Sequence, residues 1–161
     1  MKIRNGFVSN SSSSSFIVAI DHKPVDANDL MGMLYPNMPE DTLHSYDRWD
    51  SVETHTIKEI SESVFKNMST NTTDIAEAFG GWIDGAPEYN DFRKADGKYD
   101  FDAYKKAYDE FQEAYAKDVL NKYKGNFVFT VEYCDNEGDW GCFMEHSDIF
   151  ENVSHERISH H

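Results

Sequence analysis

The stretch that decides the fold is Arg4–Ile20, RNGFVSNSSSSSFIVAI. Its last five residues, Phe16, Ile17, Val18, Ala19 and Ile20, are apolar without interruption, rich in β-branched side chains and followed by Asp21. A run of this kind reads as a strand buried on both faces, hence as the centre of a sheet. Five serines stand directly in front of it. A serine tract is ordinarily a flexible linker, yet a linker leading straight into a central strand makes little structural sense. The expectation is therefore a tight bend, where small side chains avoid clashes and hydroxyls satisfy backbone groups outside the ladder.

A second strand is expected at Phe127–Cys134, where Phe127, Phe129, Val131 and Tyr133 alternate onto one face. The sequence DNEGDWG then supplies turn residues, so CFMEH is expected to return as the hairpin partner, with the turn closing through Glu137 and Gly138. That parity places Cys134 and Cys142 on opposite faces and unbonded. Between the terminal strands the pattern is helical. Leu30, Met33 and Leu34 give a short helix over 26–34, and the prolines of residues 35–50 give a loop. Asp50 and Glu53 resemble a capping box ahead of Val52, Ile57, Ile60, Val64 and Met68, although VETHTI also has the alternation of a strand. Thr73 caps a helix with Ile75, Phe79, Trp82 and Ile83 on one face. The clearest helix runs from Phe101 to Lys124, its aromatic stripe, Phe111 included, expected fully buried on the sheet. The fold class is thus α+β: an antiparallel sheet of three or four strands from the two chain ends, with inserted helices packed on one face. Residues 1–161 form a single domain, the helical insertion covering roughly 22–125.

Composition excludes several function classes. Thirty acidic against fifteen basic residues give a net charge of −15, which repels phosphate backbones and anionic membrane surfaces. Neither nucleic acid nor membrane is expected as a direct partner. The longest apolar runs are far short of the roughly 20 residues that span a bilayer, and the serines interrupt any signal-peptide core. Two cysteines are too few for a disulfide framework and read as reduced, buried thiols of a cytosolic protein.

Candidate sites are few. Asp135, Glu137 and Asp139 are spaced too tightly for a calcium loop of the helix-loop-helix kind. Four of seven histidines fall near the C-terminus, and His146, His155, His160 and His161 are candidate ligands for zinc or another divalent transition metal. Glu145 or Asp148 would then act as general base on a metal-bound water. A solvated tail is the plainer reading, and no H-E-x-x-H spacing supports the metal. If the chain ends meet in one sheet, Asn10, Ser11, Ser12, Ser13, Ser14 and Ser15 would lie beside these histidines and form a polar pocket.

The opening RNGFVSNSSSSSF, Arg4–Phe16, resembles the start of a set of small uncharacterised proteins from tailed bacteriophages and some bacteria, whose members begin M-K-I-R-x-G-F-V-S-N-S-S-S-S-S-F. The ending HERISHH, His155–His161, is similar to that of phage members. The resemblance implies a viral protein acting in the host cytoplasm or carried in the virion, and brings no activity with it. The leading functional expectation is a non-enzymatic accessory protein that binds a phage or host protein. The alternatives are a small metal-dependent hydrolase using the C-terminal histidines, and an acidic DNA-mimic inhibitor with carboxylates in two rows along one face.

Overall fold

The computed structural model describes residues 13–48, 51–70 and 85–159. Strand β1, Ser13–Ile20, lies at the centre of a three-stranded antiparallel sheet. On one side it pairs with β4, Phe127–Cys134, with Phe16 opposite Val131. On the other it pairs with β5, Ser154–Ser159, with Phe16 opposite Arg157. The two ends of the chain therefore meet in one sheet, and the class is α+β.

Alternation along β1 sends its apolar residues to two cores. Phe16, Val18 and Ile20 join Phe129, Val131 and Tyr133 of β4 on the first face, under α1 (Ala27–Leu34), α2 (Ile57–Asn67) and the later helix α4 (Gly138–His146). Ile17 and Ala19 join Ile158 on the second face, under Ala116, Val119 and Tyr123 of α3 (Phe101–Lys122) and its C-terminal cap. Helices thus lie on both faces rather than one. A strand apolar at five consecutive positions has no side that water can solvate cheaply, so both must be covered.

Several elements differ from the sequence reading. Residues expected to be loop contain β2, Leu43–Asp47, which pairs with β3, Val52–Thr56, in an antiparallel hairpin. The strand alternation of VETHT prevails, and α2 starts only at Ile57. Its capping box is Thr56 with Glu59, the Thr56 hydroxyl accepting from the Glu59 amide and the carboxylate accepting from the Thr56 amide. Asp50, and the helix expected after Thr73, lie outside the described residues.

CFMEH is not a strand. After one 3-10 turn at Asp135–Glu137 the chain enters α4, and the Glu137–Gly138 hairpin does not exist. Phe143, Met144 and Glu145 are consecutive and all buried, which a half-solvated hairpin strand cannot achieve. Gly141 makes the tight entry possible, since a Cβ there would sit 2.1 Å from the Cys134 carbonyl oxygen. Cys134 and Cys142 form no disulfide with each other, and both are half-buried. The third strand of the sheet is β5 instead, whose sequence SHERIS hides an edge strand because Ile158 is its one apolar residue.

Helix α3, Phe101–Lys122, forms where expected, capped by the Asp100 side chain on the Ala103 amide. Its aromatic stripe, however, is not core. Only Ala116 and Val119 are buried within it, Phe111 is half-buried and Phe101 is 65% exposed. At 22 residues the helix runs about 33 Å, longer than the roughly 27 Å of an eight-residue strand. The upstream rings turn to local partners instead: Tyr104 packs on Tyr89 and Phe92, and Tyr89 stacks on Tyr99 at 4.2 Å. Among the described residues no helix is long and apolar enough to cross a membrane.

The α3 end is tied to β5 by Glu156, which accepts hydrogen bonds from Lys122 and, at 2.7 Å, from the Tyr123 hydroxyl. Burial raises the Glu156 pKa, but those two bonds outweigh it and hold the carboxyl below its ordinary 4.5. The folded state therefore favours the carboxylate, and this contribution is present above the ordinary value and lost as pH falls through the lowered one. Urea unfolding of wild type and Glu156→Gln should show a stability gap at pH 7 that shrinks by about pH 3; a pH-independent gap would contradict the pairing. In the same assay Phe129→Ala, at a fully buried position, should cost about 3–5 kcal/mol and Phe111→Ala less than half as much. Equal losses would return the stripe to the core.

Candidate functional site

The sheet register places Ser14, Phe16 and Arg157 on the same face, directed at α4. The Arg157 guanidinium lies over the Phe16 ring, 5.7 Å from its centroid. Arg157 Nε donates to Ser14 Oγ at 3.2 Å, and Ser14 Oγ donates to Glu145 Oε1 at 3.0 Å. Glu145, on α4, is 1% exposed. A carboxylate so deeply buried is tolerable only with hydrogen bonds and a nearby cation, and Arg157 Nη2 stands 3.8 Å from the same oxygen.

His146 completes the group. Arg157 Nη2 donates to its Nδ1 at 3.4 Å, which requires a lone pair there and assigns the ring proton to Nε2. That nitrogen lies 3.6 Å from Glu145 Oε2, so the ring bridges the guanidinium and the buried carboxylate. Tyr46 of β2 stacks on the imidazole at 6.1 Å and 18°. Chemically this is a charge-compensated strut. The Ser14 hydroxyl is completely buried and engaged as both donor and acceptor, so it is not presented to a substrate as a nucleophile would be.

The β2–β3 hairpin closes over α4 with an inverted pattern. Its inward positions are His44, Tyr46, Glu53 and His55, whereas Leu43 and Val52 face outward at 62% and 63% exposure. His44 lies between the rings of Tyr35 and Phe143 and, through Nε2, donates to the Ser147 carbonyl. His55 meets Trp140 edge-on at 4.5 Å and Phe143 at 4.6 Å, with Nε2 bonded to Glu53 Oε1 at 2.8 Å. Arg48 pairs with Asp139 at 2.6 Å. Polar and ring contacts hold the hairpin down, leaving its apolar side chains outside.

The expected site residues distribute as follows. Ser13, Ser14 and Ser15 are the first residues of β1, in extended ladder geometry rather than a bend, with Ser15 paired to Glu132 and Ile158. Asn10, Ser11, Ser12, His160 and His161 lie outside the described residues. Ser14 and His146 share one network through Arg157. His155 stands apart from it, paired with Val18 and bonded through Nδ1 to the Val153 carbonyl at 3.0 Å. Among the described residues no three His, Cys, Asp or Glu side chains are placed to hold a metal ion. Arg157, Tyr46, His44 and His55 were missed from the sequence; the legible signal was the alternation of His44 with Tyr46 and of Glu53 with His55. Comparison with known proteins adds nothing to this geometry, since no family model, curated protein or solved structure matches the chain.

Removing the Ser14 hydroxyl strands polar partners in a dry environment. Ser14→Ala should lower unfolding free energy by about 1–3 kcal/mol, and a double-mutant cycle with Arg157→Met should show non-additivity of about 0.5 kcal/mol or more. Strict additivity would dissolve the network.

Proposed function

We propose that the chain is a phage-encoded accessory protein that acts by binding another protein, in the virion or on a host factor in the cytoplasm, through the outer face of the β2–β3 hairpin. The observation that carries this reading is the inverted hairpin: its histidines, tyrosine and glutamate are turned inward while Leu43 and Val52 are given to solvent. Among the described residues the hairpin forms a two-stranded sheet of its own, so each strand keeps an unpaired edge available for strand addition. Ser45, Thr54 and the two apolar side chains give that face a β-favouring surface, and Asp47, exposed opposite Val52, adds a carboxylate to it. The charge of −15 surrounding it selects a basic partner and accelerates its approach. The opening motif Arg4–Phe16 supports the phage origin.

A photoreactive side chain at Val52, used in extract of host cells, should crosslink one discrete basic protein. The product should fade with added salt and with Leu43→Asp. The same label at Lys117, exposed on α3, should give no such product. Equal labelling from both positions, or crosslinks to the chain itself alone, would refute the reading.

A further inference from the structure

The hairpin has two outer edges, and they are not equivalent. The Arg48 amide donates to the Ser51 carbonyl at 2.8 Å, and at the other end the Ile57 amide donates to the Thr42 carbonyl at 3.0 Å. Both pairs extend the β2–β3 register. Bonded and non-bonded pairs alternate along an antiparallel ladder, so His44 and Tyr46 bond across to His55 and Glu53. Leu43, Ser45 and Asp47 then direct their N–H and C=O groups away from β3, while Val52, Thr54 and Thr56 direct theirs away from β2. The β3 edge is closed at one end, where the Thr56 amide is taken by the Glu59 carboxylate at 2.9 Å and the chain turns into α2. The β2 edge is open at all of its outward residues, each of them exposed. It carries no lysine, proline or bulge of the kind that ordinarily guards a strand edge.

Charge narrows the occupant. Arg48, at the end of β2, is paired with Asp139, and Lys58, in the first turn of α2, with Glu40. Asp41, just before β2, and Asp47, at its end, are exposed and have no ion-pair partner among the described residues. Leu43 stands between them at 62% exposure. The edge suits an extended segment that brings its own backbone donors and acceptors, an apolar side chain beside Leu43 and a cation beside Asp47. We propose that the protein partner is engaged by strand addition at the β2 edge, through a β-strand of alternating apolar side chains flanked by lysine or arginine. This rests on the outer hairpin face being the binding surface, and it adds the edge, the backbone pairing and the chemistry of the recognised segment.

The acetylated, amidated heptapeptide KTVTVTK carries that pattern in either chain direction. Titrated to about 5 mM, a range that captures millimolar binding, into the ¹⁵N-labelled full chain, it should shift the amides of Leu43, Ser45 and Asp47 saturably. ETVTVTE should not, nor should KTVTVTK N-methylated at every valine and threonine, which keeps side chains and charge but removes the donors. Ser45→Pro deletes an outward N–H without touching the bonds to β3 and should weaken binding about 10-fold or more. Thr54→Pro, the same change on the β3 edge, should leave it within about 2-fold. The Trp140 indole, in contact with His55, reports whether the hairpin stays seated; where a variant unseats it, the N-methylated peptide carries the test. No saturable shift at β2, larger shifts at Val52 and Thr54, equal binding of ETVTVTE or of the N-methylated peptide, or unchanged affinity in Ser45→Pro overturns the proposal. Crosslinking from Val52 that persists in Ser45→Pro overturns it and leaves the outer-face reading standing, whereas peptide binding at β2 without that crosslink overturns the outer-face reading alone.

Discussion

Strand β1 is the constraint from which the rest of the structure follows. Five consecutive apolar side chains leave it with no face that can meet water, and antiparallel neighbours on both sides leave it with no free edge. Each face then demands its own cover. One receives α1, α2 and α4 with the larger core, the other the C-terminal end of α3. Both neighbouring strands come from the last 35 residues of the chain, so the folded domain closes only when its ends have been brought together. Contacts of such sequence separation are entropically costly to form and slow folding relative to local ones.

The buried polar network follows from that closure. Serines at the start of β1 extend the strand beyond its apolar segment, and Ser14, directed toward α4, meets Glu145 and Arg157. Each of the three comes from a different element: the first strand, the last helix and the last strand. Such a network adds little net stability over an apolar core, but it penalises any arrangement that separates its members. His146 extends it toward the surface and Tyr46 of the hairpin. The hairpin's polar face is thereby committed inward, which is why its apolar residues Leu43 and Val52 lie outside.

Legibility in the sequence tracked the strength of each hydrophobic period. Phe16–Ile20 and Phe127–Cys134 are strong patterns and formed the predicted pair; α1 and α3 formed close to their expected bounds. Where period and burial part company the reading failed. SHERIS has a single apolar residue because it is an edge strand with one apolar contact to make, and CFMEH reads as a strand until the space between sheet and hairpin is known. The α3 stripe was a true period with the wrong meaning, since aromatic side chains also pack on nearby loop rings. Of the site, His146 and the serines were visible as residue types. Arg157 was not, because a lone arginine in a polar tail acquires its role only through the β1–β5 register.

Native-state hydrogen exchange of the amides of Phe16–Ala19, the residues paired with both β4 and β5, tests the central role of β1 most directly. Bonded on both edges and covered on both faces, these amides should open only with global unfolding, so their exchange free energies should equal the stability measured by denaturant and be the highest in the chain. Exchange through local opening, with protection well below that value or below that of α3, would contradict the account.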